Sequence, residues 1–242
     1  MYMMLVAALL PAIILFLYIW RKDAAQPEPF KWLFRALLAG AGLCVPVALV
    51  EMLISNYLFP AGGPTTLFGT TVQAFFVAAV PEECAKLLAL WLVLRKNPYF
   101  DERFDGIVYA CCVGMGFAGT ENIIYLLGNI DAWESVAVQR AIFAVPGHFM
   151  FAVAMGYFYS MLYFGDMSWR ERSRIIWVPV TLHTIYDGLL FMASLGTILS
   201  GLLVIAFYVF CYFLFRGGQR RIAEHLERDK NDPNQVAYYA KK

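Results

Sequence analysis

The chain of 242 residues is 61% hydrophobic and only 15% charged, with a mean hydropathy of +0.61 and a net charge of +1. That composition leaves too little polar surface to cover a soluble globule, and it points to an all-α membrane protein. The near-neutral net charge says little about partners; for a membrane protein of this kind no nucleic-acid partner is expected. Five cysteines (Cys44, Cys84, Cys111, Cys112 and Cys211) all lie in apolar runs without paired loop spacing. They read as small buried hydrophobes rather than as a disulfide framework or a zinc-finger set.

A membrane span needs about 20 mostly apolar residues. Seven stretches qualify, at roughly 3–20, 32–54, 69–94, 106–128, 138–165, 174–194 and 197–215. The first has no basic residue before it and Arg21-Lys22 after it. That order is the reverse of a cleaved signal peptide, so an uncleaved span with its N-terminus outside is expected.

The loops then alternate. Basic residues occupy 21–31, 95–105 and 170–174, and again Arg216, Arg220 and Arg221, while the intervening loops carry none. Basic loops stay cytoplasmic. The expected fold is therefore a bundle of about seven transmembrane helices crossing a lipid bilayer, N-terminus out and C-terminus cytoplasmic. No internal repeat of the transporter kind is visible. Residues 1–218 read as a single transmembrane domain. Residues 219–242 read as a charged cytoplasmic tail, a short helix followed by a disordered end.

The third span contains Val80-Pro81-Glu82-Glu83-Cys84-Ala85-Lys86 between strongly apolar flanks. One ionised side chain at a bilayer centre costs roughly 2.5–3.5 kcal/mol on the insertion scale, so three together need a reason. Counting about 1.5 Å per residue brings Glu82, Glu83, Glu121, His148, His183 and Asp187 to overlapping depths on four helices. Carboxylates and imidazoles meeting in an apolar bundle have the chemistry of a metal site or an acid–base site.

Each group also has a simpler reading. Glu82 and Lys86, four apart, share a helix face and suit a neutralised ion pair. Glu83, about 100° away, shares that pairing less easily. Glu121 beside Asn122 suits a structural hydrogen bond, and Gly114, Gly116 and Gly119 suit close helix packing. His148 alone suits a core histidine. His183 and Asp187 suit a local bond, two ligands, or a ligand with its orienting carboxylate. The set outweighs its parts, because each group costs stability in lipid. Arg35, Glu51 and Arg140 lie near span ends, where long side chains can reach water, and carry no assignment.

Three motifs occur in order: Glu82-Glu83-Cys84-Ala85-Lys86 as Glu-Glu-x-x-Lys, Phe117 to Glu121 as Phe-x-x-x-Glu, and His183 to Asp187 as His-x-x-x-Asp. With His148 between the last two, this order resembles the PrsW family of bacterial intramembrane proteases. That family is a branch of the group that holds the CaaX prenyl endopeptidases and the Abi proteins. The resemblance covers the third span to the sixth. It implies an intramembrane endopeptidase in a bacterial cell (inner) membrane, cleaving a membrane-anchored protein such as an anti-sigma factor. It makes Glu82 and Glu83 the catalytic carboxylate pair, and His148 and His183 ligands or oxyanion partners. Glu121 agrees with the PrsW branch, whereas the wider group usually has histidine there.

The expected chemistry is a water activated by Glu83 or Glu82 beside a site of Glu121, His148 and His183. Zinc is the expected metal, and a buried glutamate acting without metal is the alternative. Lys86 would balance the charge and Asp187 would fix the tautomer of His183. A proton- or ion-coupled transporter is the rival reading, since it would use the same buried groups. A retinal protein lacks the lysine it needs in the last span. A haem protein would be unusual with so many acids around its ligands.

Overall fold

The computed structural model describes residues 1–232. Among them are seven long helical elements and no strand. They are α1 (Tyr2–Lys22), α2 (Phe30–Leu58), α3 (67–94), α4 (Arg103–Gly128), α5 (133–163), α6 (Arg174–Ser194) and α7 (Ser200–Lys230). Six are long and apolar enough to cross a membrane, and the seventh, α3, carries Glu82, Glu83 and Lys86. The protein is a multi-pass, all-α membrane protein.

Burial divides the helices into two classes. About 72% of the apolar window of α4 and 67% of that of α5 is buried, against 17% for α2 and for α7. The centre of the bundle is therefore the α4–α5 pair, and the outer helices turn side chains such as Leu38, Leu49, Ile205 and Val209 outward. An apolar exterior this extensive is the surface that lipid covers.

Small residues allow the central helices to approach closely. A Cβ at Gly156 of α5 would run into the Gly106 backbone, and one at Gly40 of α2 would run into the Val113 carbonyl. In lipid, where apolar burial drives helix association weakly, such backbone proximity supplies packing. The start of α4 is fixed by a capping box, in which the Glu102 and Asp105 side chains accept from each other's backbone N–H groups.

Two helices are not regular. In α3 the stretch Gln73–Ala79 is π-helical, between Leu67–Val72 and Val80–Leu94. In α5 the stretch Arg140–Ala144 is π-helical, between Trp133–Gln139 and Val145–Tyr163. Each ends just before a proline, Pro81 or Pro146. Proline has no N–H to continue the α-helical ladder, and a wider turn accommodates the break. Each is followed at once by site residues, Glu82 and Glu83 in one case and His148 in the other.

Two expectations change. The seventh span, read as 197–215, continues as one helix to Lys230, with Ile222, His225 and Asp229 buried against the bundle. The hydropathic signal ends before the helix does. The expected disordered end falls largely on residues 233–242, outside the described residues. All five cysteines are free, but Cys84 is exposed on the surface of α3 rather than buried.

Candidate active site

Lys86 is the hub of the polar cluster. Its Nζ donates to Glu82 Oε2 at 2.8 Å and to Glu83 Oε1 at 2.9 Å, and it lies 2.9 Å from His148 Nδ1. Three ammonium protons thus meet three acceptors, and the charge also sits 4.5 Å over the Phe117 ring. Glu83 does share the lysine, because side chains three and four apart on a helix are both neighbours. The aromatic residue of the Phe-x-x-x-Glu motif is therefore the floor beneath the lysine of the first motif.

The histidines are held from behind. Since His148 Nδ1 accepts from Lys86, its Nε2 carries the proton and donates to Glu121 Oε2 at 2.9 Å. His183 Nε2 lies 3.2 Å from Asp187 Oδ2, and its Nδ1 lies 3.0 Å from Glu83 Oε1. Phe151 stacks on the His183 ring at 4.7 Å between centroids. Both imidazoles thus turn Nε2 to an outer carboxylate and Nδ1 inward. Glu121 is to His148 what Asp187 is to His183.

Donor atoms of Glu82, His148 and His183 lie within 4.8 Å of one another, and all three residues are buried. Glu121 is outside that set. Its carboxylate is engaged by Arg140, whose second nitrogen donates to it at 2.5 Å while Nε donates to Asn122 Oδ1 at 2.6 Å. Asn122 is itself anchored on α1 through the Ala8 carbonyl.

An oxygen and two imidazole nitrogens suit zinc. Two further features fit a divalent cation. Carboxylates of Glu82, Glu83, Glu121 and Asp187 outnumber the Lys86 and Arg140 charges by two. The Oε2 atom of Glu83 is buried with no hydrogen-bond partner among the described residues.

A cavity of about 260 Å³ opens onto this cluster. Glu82, Glu121, His148, His183 and Asp187 all line it, whereas Glu83 and Lys86 lie one layer behind. Glu51, Gln73, Tyr125 and Arg140 complete its polar wall. Depth counting gives Glu51 and Arg140 no role. Arg140 looked like the start of a span at 138, but the helix begins at Trp133, which puts the arginine two turns in.

The family described as PrsW family intramembrane metalloprotease matches residues 28–215. Protease PrsW of Geobacillus kaustophilus is 31% identical over 212 residues, covering 86% of this chain and 88% of that protein. Protease PrsW of Clostridioides difficile is 32% identical over 187 residues, 76% of this chain and 77% of that one. Protease PrsW of Bacillus subtilis is 30% identical over 196 residues, 78% and 84% of the two chains. No solved structure matches. The motif residues that converge on the cavity lie inside the matched region, and the chain belongs to the PrsW family of intramembrane proteases.

Proposed function

We propose that the protein is a zinc-dependent endopeptidase of the bacterial cell membrane that cleaves a membrane-anchored protein, an anti-sigma factor being a fitting substrate. The observation that carries the reading is the paired orientation of His148 and His183. Each turns Nδ1 toward Glu82 and Lys86 or Glu83, and each has a carboxylate behind Nε2. Metal-binding histidines commonly have such a carboxylate at the far nitrogen, which sets the tautomer and the ring angle.

His148 and His183 would hold the ion, which would take the place of the Lys86 and Glu83 contacts at their Nδ1 atoms, with Glu82 beside it. Bound there, zinc supplies Lewis acidity, polarising a peptide carbonyl and acidifying a water. Everything else falls to the chain. Glu82 faces the cavity and uses Oε2 for Lys86, which leaves Oε1 as acceptor for the proton of the attacking water. Glu83 behind it holds Lys86 in register. Glu121, clamped by Arg140, orients His148, and Asp187 orients His183. The surrounding apolar bundle excludes bulk water, so these charges act at short range in a low dielectric.

A metal-free reading rests on one contact set. His183 lies between Glu83 and Asp187, and without a cation at Nδ1 it must carry a proton on each nitrogen. An imidazolium there would stabilise a tetrahedral oxyanion while Glu82 acts as base. Elemental analysis of unstripped, detergent-purified protein beside His183→Ala separates the two. About one zinc per chain, lost in the variant, supports the metal mechanism. No stoichiometric metal in a cleavage-competent preparation overturns it in favour of the second reading.

A further inference from the structure

A second polar cluster lies outside every site motif, where the loop between α1 and α2 meets the loop between α3 and α4. Asp23, Glu28, Glu102 and Asp105 are buried there, and Asp101 lies beside them. Donor oxygens of Asp23, Glu102 and Asp105 come within 4.8 Å of one another, and so do those of Glu28, Asp101 and Asp105. Asp105 belongs to both sets.

Part of this chemistry is structural. Asp23 Oδ2 accepts from the Glu28 backbone N–H at 3.1 Å. Asp105 Oδ2 accepts from the N–H groups of Asp101 and Glu102 at 3.0 and 2.7 Å. The Tyr109 hydroxyl donates to Glu28 Oε2. These bonds occupy one oxygen each of Asp23, Glu28 and Asp105.

Asp105 is 0% exposed, and its Oδ1 has no hydrogen-bond partner among the described residues. Gln26 donates through Nε2 to Asp101 at 3.0 Å, while its Oε1 is likewise buried without a partner. No lysine or arginine among the described residues forms an ion pair with Asp23, Glu28 or Asp105. The nearby Arg103 is committed to Asp166, Asp229 and Asp232. Burial pushes the Asp23 carboxyl up to about 8 and that of Glu28 to about 7, so the folded chain by itself resists charging this cluster. Buried carboxylates persist as anions when they are paired or coordinate a metal.

We propose that this cluster is a binding site for a hard divalent cation of the Mg²⁺ or Ca²⁺ class, centred on Asp105 and separate from the active site. The donors are all oxygens from carboxylates and one amide, the set such ions take, with no imidazole or thiolate to favour zinc. The orphaned oxygens of Asp105 and Gln26 supply the unfilled acceptor positions. Bound there, the ion would tie both loops to the start of α4 and so brace the end of the bundle that carries the basic loops. This inference is independent of the zinc assignment.

The test is calorimetric titration of the full-length, EDTA-treated protein in detergent with Mg²⁺ and, separately, Ca²⁺, together with its thermal unfolding. One saturable equivalent of either ion and a higher unfolding temperature are expected. Asp105→Asn should weaken binding about tenfold or more, whereas His183→Ala, on the other site, should bind as the parent does. Glu28→Gln keeps an acceptor for Tyr109 and serves if Asp105→Asn fails to fold. No saturable binding of either ion by the parent overturns the proposal and leaves protons as the neutralising species. Binding unchanged in whichever of these two variants folds overturns it equally.

Discussion

The Nζ of Lys86 lies 2.9 Å from Nδ1 of His148, across 62 positions of sequence, and that contact joins the two halves of the active site. A lysine that donates to both glutamates of its own helix is thereby also the group that fixes which nitrogen of His148 is protonated. The expected consequence is that Lys86→Met disables the enzyme although every proposed ligand remains. Removing one partner from a buried, paired charge cluster also costs about 3–5 kcal/mol. Cleavage of a membrane-anchored reporter, with thermal unfolding alongside, would show both losses. Activity near the parent level would mean that the ammonium is dispensable.

Glu82 and Glu83 are adjacent in sequence but unequal in position. Glu82→Gln should lower the rate of cleavage by roughly 10²–10⁴, the range for loss of a general base. Glu83→Gln keeps an acceptor for Lys86 and should cost less. Rates for both variants on one substrate check the order. A greater loss for Glu83→Gln would move the proton-accepting role to the deeper residue.

Glu121 is held by Arg140 and bonded to the far nitrogen of His148, which in the proposed site makes it an orienting group. Glu121→Gln should therefore weaken zinc binding by about 10–100-fold without abolishing it, as is usual for groups behind the ligands. His148→Ala, by contrast, should abolish it. Zinc titration against a competing chelator reads the difference. Complete loss in Glu121→Gln would make Glu121 a ligand.

Close packing of α4 on α5 depends on Gly156, whose missing Cβ leaves room for the Gly106 backbone. Gly156→Ala should destabilise the bundle by at least about 1–3 kcal/mol, since backbone cannot move aside as a flexible side chain can. Gly42 has open space around its Cβ position, so Gly42→Ala should be neutral or slightly stabilising. Unfolding temperatures of the two variants would separate a packing requirement from a general need for glycine.

The loop residue Asp166 pairs with Arg103 at 2.5 Å, and that guanidinium holds its carboxyl below the usual carboxylate range. A depressed native value means the pair stabilises the fold above the unfolded-state value near 4 and stops doing so as pH falls through the lower native value. Asp166→Asn should therefore cost up to about 1 kcal/mol at neutral pH. The difference from the parent should vanish in strong acid, as unfolding measured against pH would show.

Much of this architecture is legible in the chain because a bilayer is a severe solvent. It forces long apolar runs, which mark the helices. It also makes each polar residue inside them costly, which marks Glu82, Glu83, Lys86, Glu121, His148, His183 and Asp187. All seven meet at or just behind one cavity. Spacing alone could not divide their labour. Which of Glu82 and Glu121 comes close to both histidines depends on where Arg140 lies, and counting residues leaves Arg140 near a span end.

The oxygen-rich cluster around Asp105 left no such mark. It is assembled from two loops in which acids stand among about as many lysines and arginines, and acids contribute little to the rule that orients loops. Its burial comes from tertiary packing, which no periodicity reports.

The wider turns at Gln73–Ala79 and Arg140–Ala144 make the register of α3 and α5 a matter of residue count. One residue more or fewer in an α-helix rotates everything beyond it by about 100°. Deleting a single residue from either stretch would let the helix run straight, yet would swing Glu82 or His148 out of the cavity toward neighbouring helices or lipid. Such a deletion would spare hydropathy and every motif, and still take the chemistry out of alignment.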